Sequence, residues 1–150
     1  EIRMNKEDIL AIGSDHAGFV LKDSIIQFLT SEGIKVLDLG PGDDKSVDYP
    51  DFAKKVALSV SGNEAKRGIL ICGTGIGMSI SANRYKGIRA ALVTSDFQAK
   101  MAKRHNNANV LVMGSKVTSA NQAVSMIKIW LSEEFEGDRH ERRINKIDRI

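Results

Sequence analysis

A single cysteine among 150 residues can form no internal disulfide and cannot supply a four-thiolate zinc site. No run of about 18 apolar residues occurs, which excludes a helical membrane span. No basic-then-apolar leader opens the chain, so a cytoplasmic protein is expected. Aromatic residues make up only 5%, too few for the stacking platform of a single-strand nucleic-acid binder. Charge of one sign is not concentrated either. The net charge is +3, and the densest basic stretch, Arg139 to Arg149, also carries Glu141 and Asp148. No nucleic-acid partner is expected.

What remains is 42% hydrophobic and 27% charged, the composition of one soluble domain with a sizeable core. Glu1-Ile2-Arg3 precede Met4 and are read as an extraneous start, leaving residues 4–150 as the domain.

Short apolar runs alternate with helical periodicity along the whole chain. Strands are expected at Ile9 to Gly13, Ile34 to Leu39, Ile69 to Cys72, Ile88 to Val93 and Asn109 to Met113. Between them, Leu21, Ile25 and Leu29 recur at a four-residue step, and Phe52, Val56 and Val60 do the same after Pro50-Asp51. A short helix follows the glycines at 73–77. Ser95 or Asp96 caps a helix running towards His105, and Ser119 with Gln122 resembles a capping box. In the polar tail, Ile144 and Ile147 are spaced to dock one helical face. Five strands alternating with helices imply one doubly wound, Rossmann-like α/β domain: a parallel sheet covered on both faces.

Ligands of such sheets bind beyond the carboxyl ends of the strands. That edge collects Asp15 and His16, then Asp48 and Tyr49, then Cys72 with its glycine loop, then Ser95 and Asp96, and finally Ser115 and Lys116. The loop Gly73-Thr74-Gly75-Ile76-Gly77 leads from a strand into a helix, so its N–H groups suit a phosphate or an enediolate. It is not a dinucleotide fingerprint, because Met78 stands where the third glycine belongs, and it lacks the Gly-Lys-Ser/Thr of a P-loop. Glycines that merely permit tight strand–helix packing read equally well. Cys72 would sit at a strand end facing a helix N-terminus, where a thiolate is favoured and can act as nucleophile or base. A small buried hydrophobe is the plainer alternative. His16 reads as a loop histidine, and His105 as a helix-terminal residue facing the dipole. No close ligand pair suggests zinc. Arg139 and Arg143, four apart, would share a helix face able to clamp a phosphate, or would form a solvated face paired with Glu141 or Asp148.

Taken together, several stretches resemble the type B ribose-5-phosphate isomerase family. They are Gly13-Ser-Asp-His-Ala-Gly18, Asp48-Tyr-Pro50, Gly68-Ile-Leu-Ile-Cys-Gly-Thr-Gly-Ile-Gly77, His105-Asn106, Glu136-Gly137, and Arg139-His140 with Arg143. The resemblance runs from about Ile9 to the C-terminus. It implies an aldose–ketose isomerase of ribose 5-phosphate and ribulose 5-phosphate that needs no cofactor and no metal. Cys72 then resembles the base that moves a proton between C1 and C2, and His105 the group that helps open the sugar ring. Asp15, His16 and Asn106 resemble sugar contacts, Gly73 to Gly77 (with Thr74, Gly75 and Ile76) the enediolate loop, and Arg139 and Arg143 the phosphate anchors. Tyr49 joins the substrate contacts through its motif. Lys116 stands where the family often has arginine, so a phosphate contact there would be a point charge and not a fork. A glutamate replaces the cysteine's role in one branch, at the place held here by Met78, so the resemblance is to the cysteine branch.

Related readings are an isomerase of galactose 6-phosphate or allose 6-phosphate, or a phosphosugar-binding module without turnover. The expected assembly is a homodimer, with dimers able to pair into tetramers. A helix from Asp96 to His105 would carry His105 roughly 14 Å from the edge that holds Cys72. Both belong to one site only if His105 enters from a two-fold partner.

Overall fold

The computed structural model describes all 150 residues. The chain runs β1 (Ile9–Ser14), α1 (Phe19–Ser31), β2 (Lys35–Asp38), α2 (Tyr49–Ser61), β3 (Arg67–Cys72) and α3 (Ile76–Ala82). It continues through β4 (Ala90–Leu92), α4 (Asp96–Arg104), β5 (Val110–Gly114), α5 (Ala120–Ser132) and α6 (Arg139–Asp148). All strand pairs are parallel, in the order β2-β1-β3-β5-β4. The expected doubly wound architecture is the one observed.

Side-chain alternation along the strands divides the core in two. Ile69 and Ile71 of β3 face a cluster with Leu21, Ile25 and Leu29 of α1, Ala99 and Ala102 of α4, and Trp130 of α5. Leu70 and Cys72 face the other way, onto Ala53, Val56 and Ala57 of α2 and Met78 and Ala82 of α3. Trp130 is fully buried and donates its indole N–H to the Ala108 carbonyl at 3.1 Å, so its one polar atom is satisfied.

Several boundaries differ from those the sequence suggests. β4 begins at Ala90, not Ile88, because the Ile88 N–H closes a turn onto the Tyr85 carbonyl and the Arg89 N–H is taken by the Asn109 side chain. Ser119 caps α5 by accepting from the Gln122 N–H, but the Gln122 amide donates to Asp96 of α4, so no reciprocal capping box forms. Ile144 is buried, whereas Ile147 stays 48% exposed and does not dock with it. Residues 1–3 are tied to the fold. The Arg3 N–H donates to the Leu131 carbonyl at 2.7 Å, its guanidinium pairs with Glu134, and Ile2 packs on the α1/α5 core.

The chain leaves β1 for β2 on one side and reaches β3 on the other. The crevice between β1 and β3 is therefore the switch point where such sheets bind ligands. Ser14 of β1 is level with Ile71 of β3, so Asp15 and Cys72 flank that crevice.

Candidate active site

At the end of β1 the chain turns sharply. The buried Asp15 accepts the Gly18 N–H on Oδ1, and its own N–H donates to the Ile71 carbonyl of β3. His16, exposed, accepts the Val47 N–H on Nδ1 at 3.2 Å. That bond ties the β2–α2 loop to the β1 turn. An accepting Nδ1 also assigns the neutral ring's proton to Nε2, which is left to donate outward.

β3 ends at Cys72, which is 5% exposed. Its Sγ accepts the Gly75 N–H at 3.2 Å, a donor suited to a thiolate. The Thr74 hydroxyl accepts the Ile76 N–H, while the N–H groups of Gly73, Thr74 and Gly77 find no acceptor within the chain. The loop can fold this tightly for two reasons. Gly75 has φ +81°, a left-handed conformation that disfavours side chains, and a Cβ there would strike Leu92 at 2.5 Å. Tyr49, at the head of α2, lies across the far end of the loop, where a Cβ on Gly77 would meet its ring at 2.5 Å. On the β5 side, Ser115 and Lys116 donate N–H bonds to the Cys72 and Gly73 carbonyls. The Lys116 stem passes over Gly73, 3.7 Å from where a Cβ would stand.

Gly114 holds this packing together. A Cβ there would fall 2.5 to 2.7 Å from the Thr74 backbone, which cannot swing aside as a side chain could. Gly114→Ala is expected to destabilise the fold by about 1–3 kcal/mol, the usual cost of overpacking, and to displace the loop. Urea unfolding measures the first effect. An unchanged midpoint would mean that the loop yields freely.

The remaining candidates lie elsewhere. His105 closes the C-terminus of α4, five residues before β5 begins at Val110, whereas Cys72 is level with Gly114 at the other end of β5. The length of β5 places about 13 Å between these two edges. No hydrogen bond or ion pair links the Cys72 group with the His105 group. The structure therefore brings together Asp15, His16, Tyr49, Cys72, residues 73–77 and Lys116 on one edge. On the other it gathers His105, Asn106, Arg139 and Arg143.

The second group has an organising centre that sequence reasoning did not single out. The His105 and His140 rings stack with centroids 4.0 Å apart and planes 12° from parallel. Glu136 lies beside both, with carboxylate oxygens 3.6 Å from His105 Nε2 and 3.5 Å from His140 Nε2, a buried nitrogen that makes no hydrogen bond. Arg104 donates to Glu136 at 2.7 Å, and this bond holds the carboxyl below its usual range. Burial, then the neighbouring His105 and Arg139, lower the His140 imidazole, so it is neutral at pH 7 and stacks without repulsion. Three ligand atoms lie within 4.8 Å of one another here. Stacked rings do not converge their nitrogens on one point, and Arg104, Arg139 and Arg143 surround them, so the set does not suit a divalent cation.

Arg139 and Arg143 are exposed and make no ion pair. Asp148, a possible partner for a solvated basic face, is taken by Arg89 instead. Two unpaired guanidiniums on one face of α6 are what an incoming anion needs.

The chain matches the family described as Ribose/Galactose Isomerase over residues 10–147. It is 43% identical to ribose-5-phosphate isomerase B of Escherichia coli, with 94% of this chain and 95% of that protein aligned. Among solved structures, a ribose 5-phosphate isomerase from Thermotoga maritima superposes with a TM-score of 0.94 at 51% identity, over 96% of this chain and 99% of that one. A ribose-5-phosphate isomerase B from Mycoplasma genitalium, solved with bound ribulose-5-phosphate, gives 0.91 at 45% identity, over 95% of each chain. With a family match across nearly its whole length and these relatives, the chain belongs to the ribose/galactose isomerase family.

Proposed function

We propose that this chain interconverts ribose 5-phosphate and ribulose 5-phosphate in the cytoplasm, as a homodimer whose active sites are each shared by two subunits. The observation that carries the chemistry is Cys72 Sγ, set beneath a loop with three N–H groups free of protein acceptors. Aldose–ketose isomerisation moves one proton between adjacent carbons and leaves the overall oxidation state unchanged. It requires a base, donors for the enediolate and an acid for the ring oxygen, and the protein supplies all three.

In this reading His105 assists ring opening. The Cys72 thiolate then takes the proton from C2 of the open aldose, and the electrons move into an enediolate held by the N–H groups of residues 73–77. Returning the proton to C1, as the hydroxyl proton passes from O2 to O1, gives the ketose and regenerates the thiolate. Asp15, His16, Tyr49 and Asn106 bind the sugar hydroxyls, His16 through its outward Nε2–H. Arg139 and Arg143 hold the phosphate, with Lys116 as a point charge.

The 13 Å between the two edges supports the shared site, because a side chain cannot span it within one subunit. A two-fold partner would set its His105, Asn106 and arginines against the Cys72 edge, and the exchange is reciprocal.

A coupled assay of ribose 5-phosphate conversion tests the activity, and absence of turnover overturns it. Changing Arg139 or Arg143 to Ala is expected to raise KM by about tenfold or more and to weaken inhibition by phosphorylated analogues, leaving unphosphorylated ribose little affected. Equal effects on ribose and its phosphate would remove the arginines from the phosphate site.

A further inference from the structure

We infer that Arg89 is a positioning residue: one guanidinium at the head of β4 sets both the His105–Asn106 turn and the arginine-bearing helix α6 in register. This rests on the reading above, in which those two segments serve the same substrate.

The hydrogen-bond pattern is unusually complete. Arg89 Nε donates to the Asn106 carbonyl at 3.0 Å, and one terminal nitrogen donates to the Asn107 carbonyl at 3.1 Å. The other terminal nitrogen reaches both carboxylate oxygens of Asp148, at 3.1 and 3.0 Å. A planar fork with fixed donor directions can do this, and a lysine ammonium cannot. The side chain is 17% exposed, so its ion pair is better sheltered than an ordinary surface one.

The base of the fork is itself fixed. The Arg89 N–H donates to Asn109 Oδ1, and the Arg89 carbonyl accepts the Asn109 N–H. Arg89 is thus attached to the sheet at the point where β4 and β5 begin. From there it reaches the far end of α6 and a turn whose Asn107 is otherwise bonded only to Lys103, through its N–H and its side chain. Asn107 occupies φ +43°, which an asparagine tolerates but does not enforce. In α6 only His140 and Ile144 are buried, the second and sixth of its ten residues, so Asp148 is the attachment of its far end.

The two arms predict separable effects. Asp148→Asn removes the charge that fastens α6 and leaves the turn bonded. Arg89→Lys keeps a cation for Asp148 but loses the fork to the Asn106 and Asn107 carbonyls. Arg89→Gln loses both. In the full-length chain, kcat and KM for ribose 5-phosphate are measured with the Kd of inorganic phosphate by calorimetry and the His105 imidazole resonance by NMR.

Asp148→Asn is expected to raise KM and the phosphate Kd about fivefold with kcat nearly unchanged. Arg89→Lys is expected to lower kcat about tenfold and shift the His105 resonance, with the smaller effect on KM. Adding Asp148→Asn to Arg89→Gln should leave KM where Arg89→Gln alone put it, because both remove the same bond. Variants that lose thermal stability yet keep kcat, KM, phosphate Kd and the His105 resonance would overturn the inference and leave Arg89 a purely structural brace. Should Arg89→Gln fail to fold, Asp148→Asn and Arg89→Lys still decide it. Absence of ribose 5-phosphate turnover in the unmodified chain would overturn the proposed function instead, and the phosphate Kd and His105 resonance, which need no turnover, would still decide the role of Arg89.

Discussion

Replacing Cys72 by alanine is expected to lower turnover by about two orders of magnitude or more, the loss typical of a removed general base, while phosphosugar binding survives. The geometry explains why so small a change should cost so much. Sγ is buried, bonded to the Gly75 N–H, and faces the same loop whose remaining N–H groups would stabilise the enediolate. No carboxylate or imidazole of the same chain makes a hydrogen bond or ion pair with this thiol. Binding should persist because the proposed phosphate and sugar contacts come from other residues. The measurement is kcat beside the Kd of a non-isomerisable analogue. A variant with near-normal kcat would remove Cys72 from the chemistry. Loss of binding along with turnover would instead mark a packing role, which its place in the α2/α3 core makes the natural rival.

The second large effect is a gain. Cys72→Ala and His105→Ala chains, each inactive alone, are expected to recover about a quarter of normal activity when mixed and allowed to exchange subunits. With random assortment half of the dimers are mixed, and each mixed dimer carries one site with both residues intact and one with neither. The reason to expect this is the placement of the two residues at opposite ends of β5. Were both drawn from one chain, every site in a mixed dimer would lack one of them. No recovery despite demonstrated exchange would exclude the shared site.

The parts of the molecule that could be read from the sequence are those in which the determining residues are neighbours. Alternating apolar runs and glycines located all five strands, and Cys72 with residues 73–77 announced a strand-to-helix turn because the whole device occupies six consecutive positions. The parts that could not be read depend on distant partners. Arg89 and Asp148 are 59 residues apart, and neither flanks a motif. His140 lies in a helix whose other residues are nearly all exposed, and its burial follows from stacking on His105, which no periodicity encodes. Lys22 sits on the apolar face of α1 and looks misplaced until its ammonium is found on Asp38, at the end of β2. Residues 1–3, read from the sequence as an extraneous start, make contacts that are distant in the same way, since the bonds of Arg3 reach Leu131, Ser132 and Glu134.

The separation of Cys72 from His105 along β5 also bears on how activity scales with the amount of enzyme. A catalyst complete within one chain keeps the same rate per molecule at any dilution. Here the competent unit would be a pair, so its population follows mass action, and the rate per chain would fall off once the total concentration drops beneath the dissociation constant of the dimer. Substrate occupying a site bridges both chains and so favours the associated form. Saturating ribose 5-phosphate should therefore protect a dilute preparation, whereas the same preparation assayed after standing without substrate should begin with a lag while chains re-encounter one another.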